Sequence, residues 1–183
     1  GLLLWSSVTE LFELFVQSVK TELKGNTGTF IPTASMHEEV TFYVETGKKV
    51  LQDLGLISDV LEISTATKNE ISSKLESNDF IYISGGNTFF LLKELRRTGA
   101  DELIKEQINR GKPYIGESAG SVILSPNIEY VKEMDDFNAV ADLVSFSSLS
   151  VIDFYPLPHY TNFPFQESTQ KIMSNYMDAI NLI

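Results

Sequence analysis

Short apolar runs alternate with longer amphipathic segments along this chain. One run, Phe80-Ile81-Tyr82-Ile83, is apolar at every position, which is typical of a strand whose sheet is covered on both faces. The segments between the runs repeat apolar residues at helical spacing. The pattern predicts strands at residues 2–5, 28–31, 59–63, 80–83 and 114–115, and helices at residues 7–24, 38–54, 69–75, 89–95, 101–110, 119–124 and 166–180.

The pattern is less regular between residues 125 and 165. Residues 128–131 and 150–154 are apolar enough to predict two further strands, and an acidic loop lies between them at residues 133–136. Alternating strands and helices of these lengths predict a three-layer, doubly wound α/β fold with a mostly parallel, flavodoxin-like sheet. Ligands of such sheets bind where strands end, and Gly85-Gly86, Ser118 and His159 are each predicted to follow a strand.

Composition narrows the functions that this fold can have. The 183 residues are enough for one α/β domain, which we expect to span 1–183. No apolar run approaches the roughly 20 residues of a membrane span, and the lack of cysteine fits a reducing compartment, so we predict a soluble, cytoplasmic protein. Asp and Glu outnumber Lys and Arg by 25 to 14, and the net charge of −11 argues against nucleic acid and anionic membranes as partners.

The segment Gly116-Glu117-Ser118-Ala119-Gly120 carries the strongest chemical signal. Gly-x-Ser-x-Gly between a strand and a helix is the pattern of a nucleophile elbow, because small neighbours let the backbone turn sharply with the hydroxyl exposed. The same residues also suit an ordinary tight turn.

A serine hydroxyl needs a base to become nucleophilic. Of the two histidines, His37 lies among glutamates and is typical of a solvated side chain, so His159 is the predicted base.

A third, acidic group would orient the imidazole of such a pair. The acidic loop offers Glu133, Asp135 and Asp136, and the residues alone leave all three open. Three further carboxylates in the interval rank lower because they lie in or beside apolar patterns, namely Glu129, Asp142 and Asp153.

The segment Gly85-Gly86-Asn87-Thr88 follows a buried strand. It has neither the lysine of a P-loop nor the third glycine of a dinucleotide fingerprint, so we do not expect a nucleotide there. A glycine N–H at a strand end can instead approach a tetrahedral oxyanion, and a plain strand-to-helix turn is the alternative.

Taken together, Gly85-Gly86-Asn87-Thr88, Gly116-Glu117-Ser118-Ala119-Gly120 and Pro158-His159-Tyr160 resemble, in this order and spacing, the dipeptidase E-like serine peptidases, relatives of cyanophycinase. The resemblance implies a fold like that of the class I glutamine amidotransferases, with serine in place of cysteine. It also implies hydrolysis of short peptides from the N-terminal side, with no metal or organic cofactor. The resemblance also implies that the protein can form a homodimer.

Carried onto this sequence, the resemblance makes Ser118 the nucleophile, His159 the base, and the N–H groups of Gly86 and Ala119 the oxyanion hole. Asp135 is the preferred acid and Glu133 the next, depending on a short insertion relative to the family.

Glu117 and Asn87 are the predicted substrate-binding residues. Because Glu117 differs from its counterpart in the aspartyl dipeptidases, a substrate with a free amine or a basic side chain is expected. Family members continue with further strands after the last helix, so we expect C-terminal strands of the family to be missing from this sequence.

The leading prediction is therefore a serine exopeptidase that hydrolyses short peptides through a Ser-His-acid triad and an acyl-enzyme. One alternative is an α/β-hydrolase esterase, which the short chain and the lack of a His-Gly-Gly oxyanion loop disfavour. The other is a catalytically inactive family member that binds a small molecule or a peptide, because one fold serves unrelated functions.

Overall fold

The computed structural model describes residues 1–6, 25–36, 38, 41–140 and 142–183. The helix predicted at residues 7–24 and the surface position predicted for His37 lie outside these residues.

Five parallel strands form one sheet: β1 (Leu2–Trp5), β2 (Thr27–Ile31), β3 (Ile57–Val60), β4 (Phe80–Ile83) and β5 (Tyr114–Glu117). Their order across the sheet is β1-β5-β4-β2-β3. Every pair of neighbours is parallel, including β1 with β5, where Trp5 lies opposite Glu117. The carboxyl ends of β4 and β5 therefore meet at the same edge, where the Gly85-Gly86 turn and Ser118 follow them.

Six α-helices lie among the described residues: α1 (Phe42–Asp53), α2 (Lys68–Ser77), α3 (Thr88–Thr98), α4 (Ala100–Asn109), α5 (Ala119–Val122) and α6 (Gln166–Tyr176). Side-chain caps begin two of them. The Thr67 hydroxyl accepts the N–H of Glu70, and the Asn87 amide oxygen accepts the N–H of Phe90. Gly99, with φ at 79°, ends α3 and lets α4 begin at once.

Buried side chains cover both faces of the sheet. On one face, Phe30, Tyr82 and Ile115 of the strands pack with Val44 and Leu51 of α1. On the other face, the alternate strand residues pack with apolar residues of α2 to α6. Strands β1, β2, β4 and β5 thus each contribute to two cores, which confirms the predicted α/β class with a parallel sheet between helical layers.

The two predicted strands at residues 128–131 and 150–154 were wrong. Residues Glu129–Glu133 form a 3-10 helix that buries Tyr130 and Val131. Val151 and Ile152 both donate their N–H groups to the carbonyl of Leu124, so this segment bonds to the chain that follows α5 and not to a neighbouring strand. Short apolar runs mark burial, and periodicity alone cannot identify the backbone conformation that achieves it.

Smaller differences concern the ends of elements. The third strand begins and ends earlier than predicted, at Ile57–Val60, although Leu61 and Ile63 beyond it are fully buried. Helix α6 ends at Tyr176, four residues before its predicted end. No helix among the described residues has both the length and the apolar character to span a membrane.

Candidate active site

Ser118 stands at the corner between β5 and α5. Its φ of 48° and ψ of −108° are rare for a residue with a side chain, which is the strain expected of a nucleophile elbow. Main-chain bonds hold this conformation, because the Ser118 N–H donates to Trp5 O at 2.8 Å and its carbonyl accepts the N–H groups of Ser121 and Val122. The hydroxyl is thereby presented at the edge of the sheet.

Close backbone contacts explain the glycines on either side of the serine. A Cβ on Gly116 would lie 2.4 Å from the carbonyl oxygen of Gly120, and a Cβ on Gly120 would lie 2.2 Å from the carbonyl oxygen of Ile83. Backbone atoms cannot move aside cheaply, so both positions require glycine.

The structure brings His159 to Ser118. His159 Nε2 lies 3.0 Å from Ser118 Oγ, a hydrogen-bond distance for a nucleophile and its base. The imidazole stacks on the ring of Phe165, with centroids 4.8 Å apart. Its backbone has φ at 59°, and its carbonyl accepts the N–H of Asn162 at 2.9 Å.

The segment before His159 is not the predicted strand but an irregular stretch. Tyr155 forms an isolated bridge with Leu182, and the Tyr130 hydroxyl donates to the carbonyl of Pro156 at 2.6 Å. Proline has no N–H and cannot donate to a strand ladder, so Pro156 and Pro158 interrupt any regular pairing. The histidine is positioned by these contacts and by Phe165, and not by a sheet.

The Gly85-Gly86 turn approaches the nucleophile directly. A Cβ on Gly85 would lie 3.3 Å from Ser118 Cβ, and one on Gly86 would lie 2.3 Å from the backbone of Ala34. Gly86 also has φ at 132°, a conformation that residues with side chains rarely adopt. The N–H of Asn87 then donates to Ala34 O at 2.8 Å, which fixes the turn against the segment after β2.

The Asn87 side chain joins the Gly85-Gly86 turn to the acidic loop. Besides accepting the N–H of Phe90, its amide donates to Asp136 O at 2.9 Å. The side chain is 9% exposed. These contacts give Asn87 a structural role in joining α3 to the acidic loop, and its predicted role in substrate binding stays a prediction.

The acidic loop places its three carboxylates differently. Asp135 Oδ2 accepts the N–H of Thr88, in the first turn of α3, at 2.8 Å. Glu133 points outward, where its carboxylate lies 3.7 Å from Lys171 Nζ, and Asp136 Oδ1 accepts the N–H of Asn138. Asp135 is thus the member of this loop that is bonded beside the Gly85-Gly86 turn.

The surroundings of Asp135 change its acidity. Burial raises the pKa of its carboxyl from 3.8 to about 6, and the negative charge of Glu38 acts in the same direction. The hydrogen bond from Thr88 favours the carboxylate and opposes this rise only in part. Above about pH 6 the group is a carboxylate, which is the form that can stabilise a nearby imidazolium.

This raised pKa predicts a specific dependence of stability on pH. The folded protein holds the Asp135 proton up to about pH 6, whereas the unfolded chain releases it near pH 4. The contribution of Asp135 to the free energy of unfolding is therefore largest below pH 4, and on the order of 1 to 3 kcal/mol is lost between pH 4 and pH 6. Asp135→Asn has no such titration and keeps an acceptor for Thr88. The free energy of unfolding of the parent minus that of Asp135→Asn, measured with urea, should be larger at pH 4 than at pH 7. Equal values at the two pH values would contradict this prediction.

Glu117 is 4% exposed and lies on the α1 side of the sheet. Tyr82 donates its hydroxyl to Glu117 Oε2 at 2.9 Å. Burial, followed by the charge of Glu117, raises the pKa of Tyr82 well above its ordinary value, so the hydroxyl stays a donor. The role of Glu117 in substrate binding stays a prediction.

Tyr43, which lies near the nucleophile, and Glu38, its hydrogen-bond partner, had no signal in the sequence pattern. A Cβ on Gly85 would lie 3.8 Å from Tyr43 Cε2, so the Tyr43 ring lies beside the turn that touches Ser118. The Tyr43 hydroxyl donates to Glu38 Oε2 at 2.8 Å. Tyr43 belongs to α1, which is remote from Ser118 in sequence, so only the fold brings the two together.

A parallel α/β sheet that presents a strained serine within hydrogen-bond distance of an imidazole is typical of hydrolases that use a serine nucleophile. The sequence matches peptidase family S51 over residues 2–183. The chain belongs to this family and is a serine-type peptidase, a hydrolase.

Individual relatives agree with this assignment. An uncharacterized peptidase of Listeria monocytogenes is 55% identical over 176 residues, which are 96% of this chain and 85% of the relative. Peptidase E of a Nostoc species is 32% identical over 167 residues, which are 88% of this chain and 66% of the relative. A crystal structure of a candidate peptidase E from Listeria monocytogenes EGD-e superposes with a TM-score of 0.94 at 54% identity, covering 100% of this chain and 89% of that chain.

Proposed function

We propose that this peptidase is a serine exopeptidase that removes residues from the N-terminal side of short peptides through an acyl-enzyme. The observation that supports this most is the 3.0 Å distance between Ser118 Oγ and His159 Nε2, with the serine held in a strained conformation. The name of the Nostoc relative, Peptidase E, supports peptides as the substrate class.

In the first half-reaction, His159 Nε2 takes the proton of Ser118 Oγ while this oxygen bonds to the scissile carbonyl carbon. The carbonyl oxygen becomes an oxyanion. The C–N bond then breaks, and His159 returns the proton to the leaving amine, which departs as the C-terminal product. In the second half-reaction, water gives a proton to His159 and attacks the ester carbon, which releases the N-terminal product and restores the Ser118 hydroxyl.

The oxyanion needs two donors aimed at one point beside the serine. We assign them to the N–H groups of Gly86 and Ala119. The Gly85-Gly86 turn supports this choice because a Cβ on Gly85 would lie only 3.3 Å from Ser118 Cβ, so the turn is beside the nucleophile. Ala119 follows the serine at the start of α5, so its N–H lies next to the nucleophile in the chain.

We propose Asp135 as the acid that stabilises the His159 imidazolium. Its position supports this, because the carboxylate is buried and accepts the N–H of Thr88, which directly follows the Gly85-Gly86-Asn87 turn beside Ser118. Glu133 is the weaker alternative because its side chain is 39% exposed and faces Lys171.

A mixed library of di- to tetrapeptides with unmodified termini tests the proposed function. We expect the parent protein to consume a subset of these peptides and to release products shortened from the N-terminal end, as followed by mass spectrometry. Protein treated beforehand with a serine-directed sulfonyl fluoride is the control and should release none. If the folded parent cleaves no peptide but binds some of them, the protein is a peptide-binding member of the family.

A further inference from the structure

Tyr43 lies beside the Gly85-Gly86 turn, and Glu38 is its hydrogen-bond partner. This turn is the one that we assign to the oxyanion hole, whereas His159 approaches Ser118 from the segment after Pro158. Tyr43 and Glu38 therefore reach the site from α1 and the segment before it, and not from the segment that carries the proposed base.

The Glu38 carboxylate is accessible and held in place. Glu38 is an exposed residue, and its Oε2 accepts the Tyr43 hydroxyl at 2.8 Å. Its N–H also donates to Ser35 O, in the segment that packs against Gly86. A carboxylate at the mouth of a site, oriented by a side chain that touches the oxyanion turn, is suited to bind a cationic group of the substrate.

Negative charge dominates around Tyr43. Burial raises the pKa of its hydroxyl well above the ordinary value, and the hydrogen bond to Glu38 and the charges of Glu38, Glu117 and Asp135 raise it further. The hydroxyl therefore remains a donor to Glu38. Of these three carboxylates, Glu117 is buried against Tyr82 and Asp135 is bonded to α3, so Glu38 is the exposed one.

We propose that Glu38, oriented by Tyr43, binds the free N-terminal ammonium of the peptide and so selects substrates with an unmodified amino terminus. This inference rests on the proposed function, since it names the group by which that site recognises the end of a peptide. It assigns to the exposed Glu38 the amine recognition that the sequence pattern suggested for Glu117. An ammonium bound there keeps the scissile carbonyl close to the N-terminus, which explains exopeptidase action.

The experiment compares one peptide selected from the library with its N-acetylated form. For the parent protein we expect kcat/KM to fall at least about 100-fold on acetylation, because a charge-assisted bond contributes more than a neutral one. Glu38→Gln should lower kcat/KM for the free peptide about 10- to 100-fold, mainly through KM, and leave the acetylated peptide unaffected. Tyr43→Phe, which frees the carboxylate to move, should lower it about 3- to 10-fold.

Glu45→Gln is the matched control. Glu45 lies on α1, its side chain is exposed, and its carboxylate pairs with Lys48, so its loss should leave both peptides unaffected. If the parent cleaves peptides but Glu38→Gln leaves the preference for the free terminus unchanged, this inference is wrong and the proposed function stands. If the parent cleaves no peptide, the proposed function fails and the inference fails with it.

Discussion

Ser118→Ala should lower kcat for the best library peptide by about 10⁵- to 10⁶-fold, because the proposed acyl-enzyme forms on Ser118 Oγ. Alanine removes one oxygen, and the bond that it loses is the one to His159. The oxyanion donors and the binding residues remain, so some activity above the uncatalysed rate should persist. Initial rates at saturating peptide, measured by product mass, provide the test.

The matched control for this variant is Ser174→Ala. Ser174 is exposed on α6, and its hydroxyl donates to the carbonyl of Gln170 within the same helix. Its loss should change kcat by less than about twofold. The Ser118→Ala variant should also unfold at the temperature of the parent, so that lost activity reports chemistry. A folded Ser118→Ala protein that keeps the parental rate would exclude Ser118 as the nucleophile.

Asp135→Asn should have the second largest effect, lowering kcat by about 10²- to 10⁴-fold at neutral pH. The amide can still accept the N–H of Thr88, so the bond that holds the loop is preserved while the charge that we propose stabilises the imidazolium is lost. Because the pKa of Asp135 is about 6, the effect should be largest above that pH and should shrink as the parent carboxylate becomes protonated. Measurements of kcat at pH 5 and pH 8 for both proteins test this.

Glu133→Gln is the comparison that decides which acid acts. Glu133 makes an exposed ion pair with Lys171, and such pairs contribute little to stability. We expect its substitution to change kcat by less than about twofold. A large loss in Glu133→Gln with an active Asp135→Asn protein would transfer the role to Glu133.

The parts of the site that could be predicted from the sequence are those whose signal is local. Gly116, Ser118 and Gly120 lie within one turn, and both glycines meet a steric requirement that the sequence motif reveals. The parallel sheet was predictable for a related reason. Strands such as Phe80–Ile83 are covered on both faces, and this leaves a continuous apolar run in the sequence.

The parts that could not be predicted depend on contacts between distant segments. Val151 and Ile152 were predicted to lie in a strand because they are apolar, yet their N–H groups bond to the carbonyl of Leu124. No local pattern in the sequence indicates this contact. The bond between Asp135 and Thr88, and the position of Tyr43 beside Gly85, likewise exist only once the helices are packed. The pattern of a single sequence can rank the candidate acids, but it cannot show where each carboxylate lies in the fold.

The glycine contacts described above divide this enzyme into a fixed reaction centre and an exchangeable rim. Backbone approaches backbone closely at three places, namely Gly86 with Ala34, Gly116 with Gly120, and Gly120 with Ile83. Side chains therefore contribute little to the position of the nucleophile at the edge of the sheet. Glu38, which we propose contacts the peptide, belongs to another segment and is exposed. Substitutions among the exposed residues of the rim can therefore change which peptides bind without changing the position of the nucleophile.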